Sequence, residues 1–151
     1  MKIERAWAMP NKRTFQIPPI KRLIERETRD SRTILDLFPY PFERDALEVA
    51  KETKDNSVDC VQFDPPYSFH QLNVSYDNNG EKITNTYRSD LYNEVARITK
   101  TNGVVLSFGW NSNGLGKGRG FEITRILLVA HGGGHNDTIC TVERKIQETL
   151  E

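Results

Sequence analysis

The run Ser57-Val58-Asp59-Cys60-Val61-Gln62-Phe63, closed by Asp64-Pro65-Pro66-Tyr67, constrains this chain more than any other stretch. Val58, Cys60, Val61 and Phe63 make a short apolar, β-favouring segment, and its length and composition predict a buried strand. The double proline ends it, because neither proline can donate a ladder hydrogen bond. In an open α/β sheet, ligands bind in the crevice beyond the carboxyl ends of the strands. A carboxylate, rigid carbonyls and an aromatic ring at that position suit a flat ring bearing an amino group.

Asp64-Pro65-Pro66-Tyr67 after such a strand resembles the catalytic motif of amino-methyltransferases, chiefly DNA adenine-N6 and cytosine-N4 enzymes. The resemblance implies a three-layer, Rossmann-like α/β sheet, here reduced to about five strands, mostly parallel with a C-terminal antiparallel hairpin. It implies S-adenosylmethionine as cofactor and DNA as partner. Asp64, Pro65, Pro66 and Tyr67 are then the catalytic set, with the Asp64 carboxylate and the Pro65 carbonyl accepting from the amino group and Tyr67 stacking on the base. Phe63, Ser68 and Phe69 would border the base.

A chain of 151 residues fits one domain with a single core. Lys plus Arg and Asp plus Glu both total 21. That balance argues against a protein that coats nucleic acid through bulk charge, though not against a local basic groove. No apolar run reaches the ~20 residues that span a bilayer. The charged start Met1-Lys2-Ile3-Glu4-Arg5 lacks the apolar region of a signal peptide. Cys60 and Cys140 lie far apart in strand-like runs, which favours buried reduced thiols over a disulfide. The expectation is a cytoplasmic protein with no membrane partner, and the resemblance to phage-type enzymes suggests a bacterial cell and a phage or prophage gene. No cysteine or histidine spacing points to a metal, since the pair His131 and His135 sits on a glycine connection without fixed geometry.

Residues 1–32 read as an N-terminal arm and helix. Ile20, Leu23 and Ile24 fall at helical spacing among charged residues, giving either a solvated helix face or, through Lys12, Arg13, Lys21 and Arg22, a set of phosphate contacts. By the resemblance, this region folds over the methyl donor, with Ala8, Met9, Pro10, Thr14 and Phe15 in contact.

Thr33 to Phe38 reads as a second short strand, ended by Pro39-Tyr40-Pro41. It resembles the donor-binding motif, with Asp36 and Phe38 matching, Leu37 in place of a proline and no glycine following. Only 19 residues separate Pro39 from Ser57 inclusive, and Asp45 to Lys51 takes the middle as a helix. That leaves room for one crossover. The strand that carries the ribose-binding acid in the family is missing. Asp45-Ala46 either contacts the donor's adenine or supplies an ordinary helix N-terminal carboxylate. Losing the outer strands leaves Ile34 to Phe38 near a sheet edge, to be covered by a homo-oligomer or by the N-terminal segment.

Residues 68–89 read as a polar loop with the turn signal Asp77-Asn78-Asn79-Gly80. In a compact domain a loop this long is a lid, a binding loop or disordered. His70, Tyr76 and Tyr87 are its candidates for stacking. Ser89 to Thr99 follows as a helix capped by Ser89 and ended at Gly103, then Val104 to Phe108 as a buried strand. Gly109 to Gly120 holds five glycines in twelve residues, a backbone able to approach a ligand closely. Lys117 and Arg119 suit phosphates there, and Trp110 could stack on a base or pack beneath the loop. By the resemblance, Ser107 lies on the donor side. Ile123 to Ala130 and Thr138 to Val142 read as the closing hairpin. Two functions from different classes follow: a minimal methyltransferase, or a methyltransferase-like scaffold that has lost catalysis and been retained for nucleic-acid binding or assembly.

Overall fold

The computed structural model describes residues 1–39, 44–65 and 86–147. In chain order they form β1 (Lys2–Trp7), a 3-10 turn (Thr14–Gln16), α1 (Pro18–Glu27), β2 (Ile34–Asp36), α2 (Ala46–Glu52), β3 (Val58–Phe63), α3 (Tyr87–Ile98), β4 (Thr99–Gly109), a second 3-10 turn (Lys117–Arg119), β5 (Phe121–Ala130) and β6 (Thr138–Lys145). No helix among the described residues is long and apolar enough to cross a membrane.

The six strands form one sheet in the order β1-β5-β6-β4-β3-β2. Five of them run in one direction, and β6 alone runs against its neighbours β4 and β5. The β5–β6 pair is the antiparallel hairpin read from the sequence. The sixth strand was not: Lys2–Trp7 pairs in parallel with Arg125–Ala130, although its sequence carries charges at three of six positions. Those charges are tolerated because β1 is outermost on its side, with Lys2 and Arg5 exposed. Glu4, half-buried on the face that α1 covers, pairs with Arg125 of β5.

β2 is the outermost described strand at the other end, as the short crossover requires. The N-terminal segment does not cover that edge, contrary to one of the two expectations. The run from β1 through α1 crosses one face of the sheet, so β1 extends the far edge instead.

Helices cover both faces. Ile17, Ile20 and Leu23 pack on one side with Cys60, Leu106, Leu127 and Val142. Ala46, Ala50, Leu91, Val95 and Ile98 pack on the other with Val61, Phe63 and Val105. Pro18 and Pro19 occupy the first turn of α1, where an N–H has no helical partner to lose. Cys60 and Cys140 are free and fully buried.

The helix before β4 starts two residues earlier than its pattern suggests, at Tyr87, and ends at Ile98 without a glycine cap. Lys145, 1% exposed, substitutes for that cap. Its ammonium donates to the carbonyls of Ala96 at 2.7 Å and Thr99 at 2.8 Å and to Asn56 Oδ1 at 3.1 Å. Arg97 does the same for α2, donating to the carbonyls of Ala50 and Thr53, both at 2.8 Å.

Candidate active site at the carboxyl ends of β2 and β3

Parallel pairing sets Asp36 opposite Gln62, and Leu37 N donates to Gln62 O at 3.1 Å. Phe63 turns toward α3. Its ring is 4% exposed and lies edge-on to Phe38 at 5.2 Å and Tyr92 at 5.4 Å. By strand alternation the next residue, Asp64, faces the other way, toward the N-terminal segment. There the Thr14 hydroxyl donates to the Asp64 carboxylate. Phe15, beside it, packs on Phe108 with ring centroids 5.1 Å apart, which fixes the 3-10 turn over the site.

Asp64 and Pro65 are half-buried. Burial raises the Asp64 pKa to about 6; the Thr14 hydrogen bond opposes the rise and the Asp36 charge adds to it. Asp36 is also raised by burial, against a hydrogen bond from Phe38 N at 3.1 Å. Two carboxylates therefore stand near each other at neighbouring strand ends, and each is more easily protonated than a surface acid. Burial likewise pushes the Cys60 thiol up to about 12 and the Cys140 thiol upward, so neither cysteine supplies a thiolate nucleophile.

Thr14, Asp36, Asp64 and Pro65 thus come together. Ala8 is 7% exposed, its N–H bonded to Ala130 O at 3.0 Å and its carbonyl within 2.9 Å of His131 Nδ1. Met9 is 69% exposed, and Pro10 is exposed as well. Phe38 and Ala46 are core residues, and Ser107 pairs with Phe63 on the α2 and α3 side of the sheet. Asp45 is the N-cap of α2: its carboxylate accepts from Leu47 N at 3.3 Å and from the Tyr87 hydroxyl. Tyr87 is buried within a helix, not a loop aromatic. Pro66, Tyr67, Ser68, Phe69, His70 and Tyr76 lie outside the described residues. No cluster of metal-ligating side chains occurs among the described ones.

The glycine-rich stretch after β4 is a built feature. Glu143, fully buried on β6, accepts from Leu115 N at 2.8 Å and Gly116 N at 3.0 Å. Gly114 has φ +58, and a Cβ there would stand 2.2 Å from Glu143 Oε1. The backbone amides that a phosphate would need are spent on the chain's own carboxylate. Arg119 is engaged too. It donates to Asn93 Oδ1 at 2.9 Å and Leu115 O at 3.2 Å, and its guanidinium lies 5.4 Å from the Tyr92 ring centre. Lys117 and Trp110 remain exposed. Glu143 was missed because a lone acid before Arg144 and Lys145 reads as the charged end of a strand. The signal lay in the period-two pattern that puts position 143 on the same face as Thr141 and Lys145.

No protein-family model and no curated protein matches the chain. Among solved structures, a proposed methylase from Haemophilus influenzae is similar with a TM-score of 0.42 and 11% sequence identity, over 85% of this chain. The chain spans 62% of that structure's length.

Proposed function

We propose that this chain transfers a methyl group from S-adenosylmethionine to an exocyclic amino group of a base in DNA, N6 of adenine. The observation that carries the reading is Asp64: a half-buried carboxylate at the carboxyl end of the parallel strand β3, followed by Pro65 and hydrogen-bonded by Thr14. An aromatic amino nitrogen is a weak nucleophile because its lone pair is delocalised into the ring. Asp64 and the Pro65 carbonyl would each accept one of its N–H groups, drawing the nitrogen toward a geometry in which the lone pair can attack. The nitrogen gains positive charge as the new bond forms, and a carboxylate with a pKa near 6 can take the surplus proton. The remaining contribution is alignment.

The methyl donor is a sulfonium cation, and it supplies the electrophilic carbon. Asp36 and Asp64, neighbours at adjacent strand ends and both raised in pKa, suit a cation, which would relieve the repulsion between them. Asp36 is the residue that would hold it, with Asp64 beside it on the acceptor side. Phe38 and Ala46, packed in the core, and Asp45, capping α2, would not.

That engagement of the donor-side residues favours a second reading, a scaffold that keeps the acceptor geometry for nucleic-acid binding or assembly without transfer. Calorimetric titration with S-adenosylmethionine, followed by labelled methyl transfer to adenine-containing DNA, separates the two. Binding with transfer supports the first; absence of binding supports the second.

A further inference from the structure

Gln62 is 8% exposed, and a buried amide ordinarily has at least one hydrogen-bond partner. Its backbone carbonyl takes Leu37 N at 3.1 Å, but no described residue meets its side chain. Cys60, two residues earlier on β3, packs on the α1 face, whereas Val61 and Phe63 pack on the other. Alternation therefore puts Gln62 on the α1 face, with Asp64 next along the same row. Register sets it between Asp36 of β2 and Leu106 of β4. Leu106 is fully buried and offers the amide nothing. The polar neighbours of Gln62 are Asp36, about 5 Å away across the ladder, and Asp64, about 7 Å along the strand.

An acid, an amide and an acid thus stand side by side at two adjacent strand ends. Asp36 accepts from Phe38 N and Asp64 from the Thr14 hydroxyl. Neither has an ion-pair partner among the described residues. The fold gains nothing from the amide that an apolar side chain of the same length would not supply, since an unpaired buried amide is destabilising. What the amide adds is an acceptor, Oε1, beside two donors on Nε2. An ammonium can donate to Oε1 and to the Asp36 carboxylate together. A carboxylate next to that ammonium can accept from Nε2, where a third acid would repel it.

We propose that Gln62 binds the amino-acid end of the methyl donor, its Oε1 taking the ammonium together with Asp36 and its Nε2 donating to the neighbouring carboxylate. The inference rests on the methyl-donor reading of this site, but its test reads binding and not transfer. Gln62 then selects donors that carry the amino-acid end, and an apolar residue there would not.

The full chain is titrated calorimetrically with S-adenosylmethionine, S-adenosylhomocysteine and 5′-methylthioadenosine, the last lacking both ammonium and carboxylate. The parent should bind the first two at least about tenfold more tightly than the third. Gln62→Met keeps the length of the side chain and removes both polar atoms. It should weaken the first two about tenfold or more and leave 5′-methylthioadenosine within about twofold. Its urea midpoint should be no lower than the parent's, and Gln62→Leu should behave alike. An equal loss for all three ligands, unaltered affinities, or a lowered midpoint in both variants would overturn the proposal, because the amide would then serve packing or the fold. A parent that binds none of the three overturns it together with the donor reading. The expected selectivity without methylation of any DNA leaves Gln62 in place and removes methyl transfer. Methylation with unaltered donor affinity in Gln62→Met removes the role of Gln62 and leaves the transfer.

Discussion

Thr14 donates its hydroxyl hydrogen bond to the carboxylate of Asp64 across fifty residues of chain, and so joins the N-terminal segment to the end of β3. The hydrogen bond is the influence that lowers the Asp64 pKa, against burial and the charge of Asp36. Thr14 is thus a positioning residue for the carboxylate. Thr14→Val should move the Asp64 pKa above 6, and Thr14→Ser should leave it near the parent value. Carboxyl chemical shifts followed through pH on the ligand-free protein measure this directly. An unchanged titration in Thr14→Val would show that burial alone sets the value.

A raised carboxylate also leaves a mark on stability. The folded protein holds the Asp64 proton up to about pH 6, whereas the unfolded chain releases it near pH 4. Between those values the native state binds more protons, so this group's contribution falls as pH rises and the cost is complete above pH 6. Asp64→Asn keeps an acceptor for Thr14 and removes the charge. It should raise neutral-pH stability by roughly 1–2 kcal/mol, with no gain at pH 4. Urea titrations at the two pH values check the sign.

The strand before Asp64, the crossover count and the closing hairpin were legible because each rests on a local pattern: an apolar run, a length limit, a glycine connection. β1 was not, because an outermost strand carries no buried alternation and Lys2-Ile3-Glu4-Arg5 reads as charged coil. The site was legible only in its backbone logic. Which face Asp64 takes depends on Phe63 going to the core, and the partner it meets there is Thr14, which no spacing rule connects to it. The glycine-rich stretch shows the converse limit. Its composition announced close backbone approach, but the ligand approached is Glu143 of the same chain.

That loop gives a direct prediction. Gly114→Ala adds a methyl where Glu143 Oε1 would stand 2.2 Å away, at a backbone φ of +58 that alanine resists. Glu143→Gln keeps one acceptor oxygen but aims an NH2 at a backbone donor, Leu115 N or Gly116 N. Gly114→Ala should cost about 2–4 kcal/mol and Glu143→Gln about 1–3 kcal/mol. The double variant should lose less than the sum, because both act on one contact. Strict additivity in chemical denaturation would contradict the clamp.

Lys145 is the buried cation of the core, spanning β6 to the end of α3. Lys145→Met retains the length of the side chain and removes the donors to Ala96 O and Thr99 O. The two carbonyls lose a charge-assisted partner, and the expected loss is about 2–4 kcal/mol. Hydrogen exchange should quicken first in the last turn of α3. Uniform quickening across the sheet instead would mean that the lysine acts through packing alone.

The two meanings of Asp45 separate in the same way. Its carboxylate caps α2 through Leu47 N and takes the Tyr87 hydroxyl at the start of α3, so it ties together two helices that pack on the same sheet face. As a cap alone, Asp45→Ala should cost about 1 kcal/mol, and Tyr87→Phe a similar amount for the lost hydrogen bond. If the carboxylate works as this tie, the double variant Asp45→Ala/Tyr87→Phe should be less damaged than the sum, with a coupling of about 0.5–1 kcal/mol. S-adenosylmethionine affinity measured on the folded Asp45→Asn protein should then stay within about twofold of the parent. That residue retains one acceptor oxygen for the helix and loses the charge. A loss of donor affinity of tenfold or more at unchanged stability would return Asp45 to the donor site.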